Sequence, residues 1–338
     1  MKRGLLVAIG LAATAGCAAV LGIENITNDP PPDEAGIGDR SVPDTSVPDA
    51  GDASIVDTGP PDTFAFDAGP QFRSCVGLVE NCGANDVEHC CTTFAVPMGS
   101  YLRSNNAAPA SVSDFKLDKF EVTVGRLRKF HDAYPGSKPT VGSGARPNIA
   151  GSGWDATFDA QLPATQAALR NLLKCGAANT WTDVAGANEA RPINCITWFV
   201  SQAFCIWDGG WLPTEAEWNY AAAAGSEQRL YAWGAGPLDN NHAIYGNTAI
   251  QDVGSKPLGN GKWGQSDLLG NVSEWTLDWD GPYPVPCADC ASLTVGTIRE
   301  RRGSDFKSAA PLVTTHRRAG SDPTTRAVDQ GVRCARWK

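Results

Sequence analysis

Ten cysteines follow residue 70, and no other feature narrows the folds open to this chain as much. Whether they are thiols or disulfides depends on the compartment, which the N-terminus addresses. Lys2 and Arg3 precede an apolar run from Leu5 to Ala13, and small residues lead up to Cys17. That is the layout of an export signal, and it is shorter than the roughly 20 apolar residues of a membrane-spanning helix. In a chain that leaves the reducing cytosol, an even set of cysteines reads as disulfides. Ten allow on the order of a thousand pairings, and spacing does not choose among them. Cys90 and Cys91 are adjacent; a bond between neighbours closes a strained ring, so each is expected to bridge elsewhere.

The eleventh cysteine, Cys17, follows Thr14-Ala15-Gly16, which is similar to a bacterial lipobox except for Thr14, where a leucine or β-branched apolar residue is usual. Cys17 is the expected lipidation site, and the acyl chains of such a residue exceed the two-signal threshold for stable anchoring. Ordinary signal cleavage is the alternative. The expected location is the bacterial envelope, at the outer membrane or cell surface, with membrane contact through Cys17 alone.

Residues 18–70 hold eleven acidic side chains against the single Arg40, eight prolines, scattered aliphatic residues and only two aromatic ones, Phe64 and Phe66. Such a segment buries too little surface to offset its ordering entropy and is expected to be a disordered, charge-extended stalk. It also carries the acidity: of the net charge of −9, only −1 falls on residues 71–338. A nearly neutral folded part lacks the basic face that nucleic acid requires. The expected organisation is therefore a signal over 1–17, a stalk over 18–70, a Cys-rich lead-in over 71–95 and one domain over 96–338, monomeric.

All eleven tryptophans lie from Trp154 onward. Alternating apolar residues over Phe115–Val122 predict a strand, and Thr123 is positioned to cap a helix that buries Leu127 and Phe130. Helical spacing recurs from Leu162 to Cys175 and over Trp198–Asp208, the latter apolar on most sides and closed by Gly209-Gly210. Thr214 and Glu217 form a capping box for a further helix that stops at Gly225. There is no G-x-S-x-G elbow, P-loop or dinucleotide fingerprint. His89, His131, His242 and His316 show no metal-ligand spacing.

Four motifs in order, Trp211-Leu212-Pro213-Thr214-Glu215-Ala216-Glu217-Trp218, Tyr231-Ala232-Trp233-Gly234, Leu269-Gly270-Asn271-Val272-Ser273-Glu274-Trp275 and Gly331-Val332-Arg333-Cys334-Ala335-Arg336, resemble the formylglycine-generating enzyme, or sulfatase-modifying factor, family. Phe120-Glu121-Val122-Thr123 matches its early strand. The resemblance implies a single α+β domain, related to C-type lectins and rich in irregular structure, and a disulfide between Cys205 and Cys334. It also implies a calcium loop in which Asp267 and Glu274 give carboxylates and Gly270 and Val272 give carbonyls, as suits a hard cation. The family's oxidases hold copper(I) on two thiolates, which soft-ligand chemistry favours; at those positions stand Lys307 and Leu312, so copper oxidase activity is not expected. Cys287-Ala288-Asp289-Cys290 reads as a local structural disulfide, with a redox or metal-binding pair as the alternative.

By the same resemblance a ligand groove is expected near Glu121, Ser304, Asp305, Phe306 and Arg333, with Ser273 replacing a usual aromatic. Trp275, Trp279 and Tyr283 are candidates for stacking on a ligand or, alternatively, core. The expected role is a surface module that binds a peptide or glycan. The alternative is an oxidoreductase of the same family acting on protein cysteine or another substrate by an altered mechanism.

Overall fold

The computed structural model describes residues 72–104 and 108–338; the signal segment, Cys17 and the stalk lie outside the described residues. The chain from Phe72 onward is an α+β domain with few helices. Its strands are β1 (Thr93–Val96), β2 (Gly99–Arg103), β3 (Ala108–Val112) and β4 (Phe115–Asp118), followed after the helices by β5 (Ser273–Trp279), β6 (Arg299–Arg302), β7 (Arg318–Ser321), β8 (Gln330–Gly331) and β9 (Ala335–Arg336). The helices are α1 (Val124–Asp132), α2 (Gln166–Leu172), α3 (Trp198–Trp207) and α4 (Glu215–Ala222). Three small sheets result: β1-β4-β9, the β2-β3 hairpin, and β7-β6-β5-β8, in which only the β5–β8 pairing is parallel.

The expected strand at Phe115 ends at Asp118 rather than Val122, because the backbone turns there to bring Glu121 inward. Thr123 caps α1 by accepting from the Arg126 amide, and Leu127 and Phe130 are buried. The expected helix from Leu162 to Cys175 is shorter: Thr165 caps α2, which covers only Gln166–Leu172 and packs Leu169 into the core, and a 3-10 segment over Ala156–Gln161 precedes it. Helix α3 is buried along most of its length, as its nearly uniform apolar composition requires. It stops where Gly209 adopts φ +81°. The capping box of Thr214 and Glu217 opens α4, which is wholly buried and ends at Ala222, with Ala224 taking the left-handed conformation before Gly225 does.

Two buried acids and two buried arginines fasten these pieces together. Asp118, at the end of β4, receives Arg126 of α1 at 2.8 Å and Arg336 of β9 at 2.6 Å; Asp208, beyond α3, receives the same two guanidiniums at 2.7 Å each. All four side chains are almost completely excluded from solvent. Paired charges with every hydrogen bond made tolerate such burial, whereas an orphan would not. The lead-in joins this group, since the Ser74 amide donates to Asp208 Oδ1 at 2.7 Å and Phe72 lies under the Arg336 guanidinium.

The ten cysteines form five disulfides: Cys75–Cys91, Cys82–Cys90, Cys175–Cys195, Cys205–Cys334 and Cys287–Cys290. Cys90 and Cys91 bridge to different partners, as the strain argument requires. Cys205–Cys334 ties α3 to the segment before β9 inside the largest core cluster.

Candidate functional site

The residues expected to form a calcium loop and two of those expected to line a groove, Glu121 and Arg333, meet in one buried polar cluster. The turn before β5 puts Asp267 and Asn271 at positive φ and Gly270 at φ +102°. A side chain at Gly270 would collide with the Ile244 backbone, so glycine is required there. Asp267 accepts from the Gly254 amide at 2.5 Å. Glu274, on β5, accepts from Arg333 through both oxygens at 2.8–3.2 Å and from the Trp218 indole at 2.7 Å. Glu121 spans the turn, taking the Asn271 amide at 2.7 Å and the Val272 backbone N–H at 3.0 Å. Arg333 completes its shell on the carbonyls of Asp118, Lys119 and Ser266.

Three carboxylates thus lie in the field of one interior guanidinium, and only Glu274 is bonded to it. Burial, reinforced by the neighbouring Asp267 and Glu274, pushes Glu121 well above the usual carboxylate range. Burial likewise raises Asp267 to about 6. No turn or loop hydrogen bond ends on the Gly270 or Val272 carbonyl. An all-oxygen donor set with surplus negative charge fits a hard divalent cation, although Glu274 is already shared with Arg333.

Glu121 and Arg333 are therefore interior residues that shape the turn, and the structure does not place them on an open wall. Ser304 is also buried, and its hydroxyl has no hydrogen-bond partner. Phe306 packs among Ile244, Ile250 and Val272, while Asp305 is half-buried and accepts from the Lys307 amide at 2.9 Å. Lys307 is exposed and faces Asp329 at 3.6 Å; Leu312 is 39 % exposed. Ser273, in the place of the expected aromatic, receives Arg301 at 2.5 Å and donates to the Asp329 carbonyl at 2.8 Å.

The tryptophans considered for ligand stacking belong to the core. Trp275 is fully buried and donates to the Ile196 carbonyl at 3.1 Å, and Trp279 lies against Arg299. Tyr283 is half-buried between the guanidiniums of Arg103 and Arg318, each 4.3 Å from its ring centre. Of the histidines, His89 approaches Cys75 and Cys91, but those sulfurs are bonded to each other.

A groove of about 530 Å³ lies between the β2-β3 hairpin and the loop that carries Cys287. Leu102, Pro109, Val285 and Pro286 make it largely apolar, and Ser111 and Gln228 add polar edges. The loop is docked on β3 through backbone bonds, from the Ser111 amide to the Cys287 carbonyl at 2.9 Å and from the Asp289 amide back to Ser111 at 3.0 Å. Residues from four separate segments build this groove. The Pro-Val-Pro-Cys run was its only local sequence signal.

Comparison with known proteins gives a consistent result. The sulfatase-modifying factor enzyme 1-like domain family matches residues 80–338. The chain is 29 % identical over 250 residues to hercynine oxygenase of Mycolicibacterium thermoresistibile, covering 68 % of this chain and 53 % of that protein. It is 30 % identical over 191 residues to the formylglycine-generating enzyme of Streptomyces coelicolor, covering 46 % and 60 %. The chain therefore spans between half and two thirds of the length of these relatives. Among solved structures, PvdO from Pseudomonas aeruginosa superposes with a TM-score of 0.52 at 20 % identity, covering 73 % of this chain and 94 % of that one, a likeness of fold.

Proposed function

The chain belongs to the sulfatase-modifying factor enzyme 1-like family, and within that family we propose that it is an exported, lipid-anchored binding module rather than a copper oxidase. One observation carries the reading. The copper(I) of the family's oxidases is held by two thiolates, which suit a soft ion, whereas an exposed lysine and a leucine stand at positions 307 and 312, and every cysteine among the described residues is in a disulfide. Calcium at Asp267, Glu274 and the Gly270 and Val272 carbonyls is proposed as a structural ion that offsets the buried negative charge. Cys17 is the proposed anchor.

The ligand is an extended peptide in preference to a glycan. Sugar binding draws on exposed aromatic faces, and Trp275 and Trp279 are in the core. The hairpin groove instead offers apolar walls formed by Leu102, Pro109, Val285 and Pro286, which suit the apolar side chains of an extended peptide. The test is direct. With copper(I), oxygen and a cysteine peptide, the purified protein should consume no oxygen, while apolar peptides should bind and Leu102→Asp should weaken them at least tenfold. Stoichiometric oxygen uptake with cysteine oxidation would overturn the reading.

A further inference from the structure

We infer that the Cys287–Cys290 disulfide is exchangeable, and that it accepts the thiol of a peptide bound in the neighbouring groove. The inference rests on the groove being a peptide site and adds the chemistry performed there.

The two sulfurs stand in different surroundings. Cys287 borders the groove although it is only 6 % exposed, and Cys290, which is half-buried, does not border it. On the far side, Arg103 Nη1 lies 3.7 Å from Cys290 Sγ. That guanidinium is fixed, with Nη2 on the Pro284 carbonyl at 2.5 Å and its face on Tyr283. It is fully buried, its Nε has no hydrogen-bond partner, and its acid, Glu215, is 3.6 Å away. A sulfur leaving as thiolate at Cys290 would therefore form beside a fixed, partly unsatisfied positive charge, which lowers thiol pKa and speeds departure.

The intervening acid does not oppose this. Both Asp289 oxygens accept from Ser113, at 2.7 Å from its amide and 2.5 Å from its hydroxyl, and Arg146 stands 3.7 Å away.

Opening this bond also leaves the fold intact. Its cysteines are three residues apart, the smallest loop of the five disulfides, and a small loop constrains the unfolded chain least. The backbone bonds to Ser111 and the Asp289 contacts with Ser113 hold the loop without the S–S bond.

In the first step, the thiolate of the peptide, its proton already lost to water, attacks Cys287 Sγ. A new S–S bond forms to Cys287, the Cys287–Cys290 bond breaks, and its electron pair leaves on Cys290. A second thiolate of the same substrate then attacks the mixed disulfide at the substrate's sulfur. The substrate leaves as a disulfide, oxidised by two electrons, and Cys287 and Cys290 remain as the reduced pair. The co-reactant is a dithiol peptide or protein, and neither metal nor oxygen takes part.

The test uses the full mature chain, an extended apolar peptide with one cysteine, and glutathione, with free thiols alkylated and located by mass spectrometry. In wild type, glutathione should open Cys287–Cys290 while the other four bridges stay closed. In wild type the one-cysteine peptide should end as a mixed disulfide on Cys287 with Cys290 alkylated, and the reverse pairing, peptide on Cys290 with Cys287 alkylated, should be at least tenfold rarer. Arg103→Met should slow exchange at least threefold, with Arg103→Lys restoring part of the rate; if Arg103→Met does not fold, the ratio of the two wild-type adducts decides. Equal trapping at both sulfurs, or a bridge that stays shut until the chain unfolds, overturns the inference. A cysteine-to-serine version of the peptide reports on the groove alone. If it binds while no exchange occurs, the peptide site stands and the exchange chemistry falls; if it fails to bind, the peptide site itself is wrong.

Discussion

Arg333 holds both carboxylate oxygens of Glu274 in the interior, at 2.8 Å on one and 3.0 Å on the other. Removing one partner leaves the other charge buried and uncompensated, the expensive way to break such a pair. Glu274→Gln is expected to destabilise the domain by about 3–5 kcal/mol, read as a lower denaturation midpoint at unchanged slope. A loss under about 1 kcal/mol would mean that water or the neighbouring Glu121 and Asp267 already compensate Arg333.

Calcium should stabilise the native state by mass action, about 2.7 kcal/mol at a hundredfold excess over Kd. A thermal melt with calcium against one with a chelator checks this, and Asp267→Asn should abolish most of the difference. An unchanged melt would remove calcium from the account.

Asp278 and Glu300 set a pH dependence. Burial raises each to about 7, above the ordinary carboxylate value near 4. Across that window the folded state binds more protons than the unfolded one, so stability from these groups is greatest at the acid end and falls as pH rises to 7. His89 and His316, lowered mainly by burial, act in the opposite sense below their ordinary value. The discriminating measurement is therefore a difference: between pH 4 and 7, Asp278→Asn should flatten the decline relative to wild type.

Cys205–Cys334 closes a separation of 129 residues, so its loss should release the most denatured-state entropy of the five. Replacing both cysteines by alanine is expected to cost about 3–5 kcal/mol, measured by chemical denaturation. Removing Cys287 and Cys290 together should cost markedly less.

The features legible in the sequence are those written in short spans. The Thr214–Glu217 capping box, the apolar α3 and the Thr123 cap each depend on side chains within one or two turns, where propensity and spacing speak directly. The Cys205–Cys334 pairing came from resemblance, because spacing alone could not select it. What periodicity could not reveal is the interior charge. Glu121 meets Asn271 across 150 positions, and Arg336 meets Asp118 across 218. Arginine and glutamate read locally as surface residues, and only the three-dimensional path of the chain turns them into core. The same reason hid the hairpin groove, whose walls are contributed by segments far apart in sequence.

The contacts of Phe72 and Ser74 with Arg336 and Asp208 have a mechanical meaning. Tension arriving from the N-terminal side would reach the C-terminal strand first, because the lead-in is clasped there. Behind that clasp stand the two lead-in crosslinks and then the covalent bolt from α3 to residue 334. The Cys75–Cys91 bond would carry such a pull past the intervening residues straight to the base of β1, so the segment between those cysteines bears none of it.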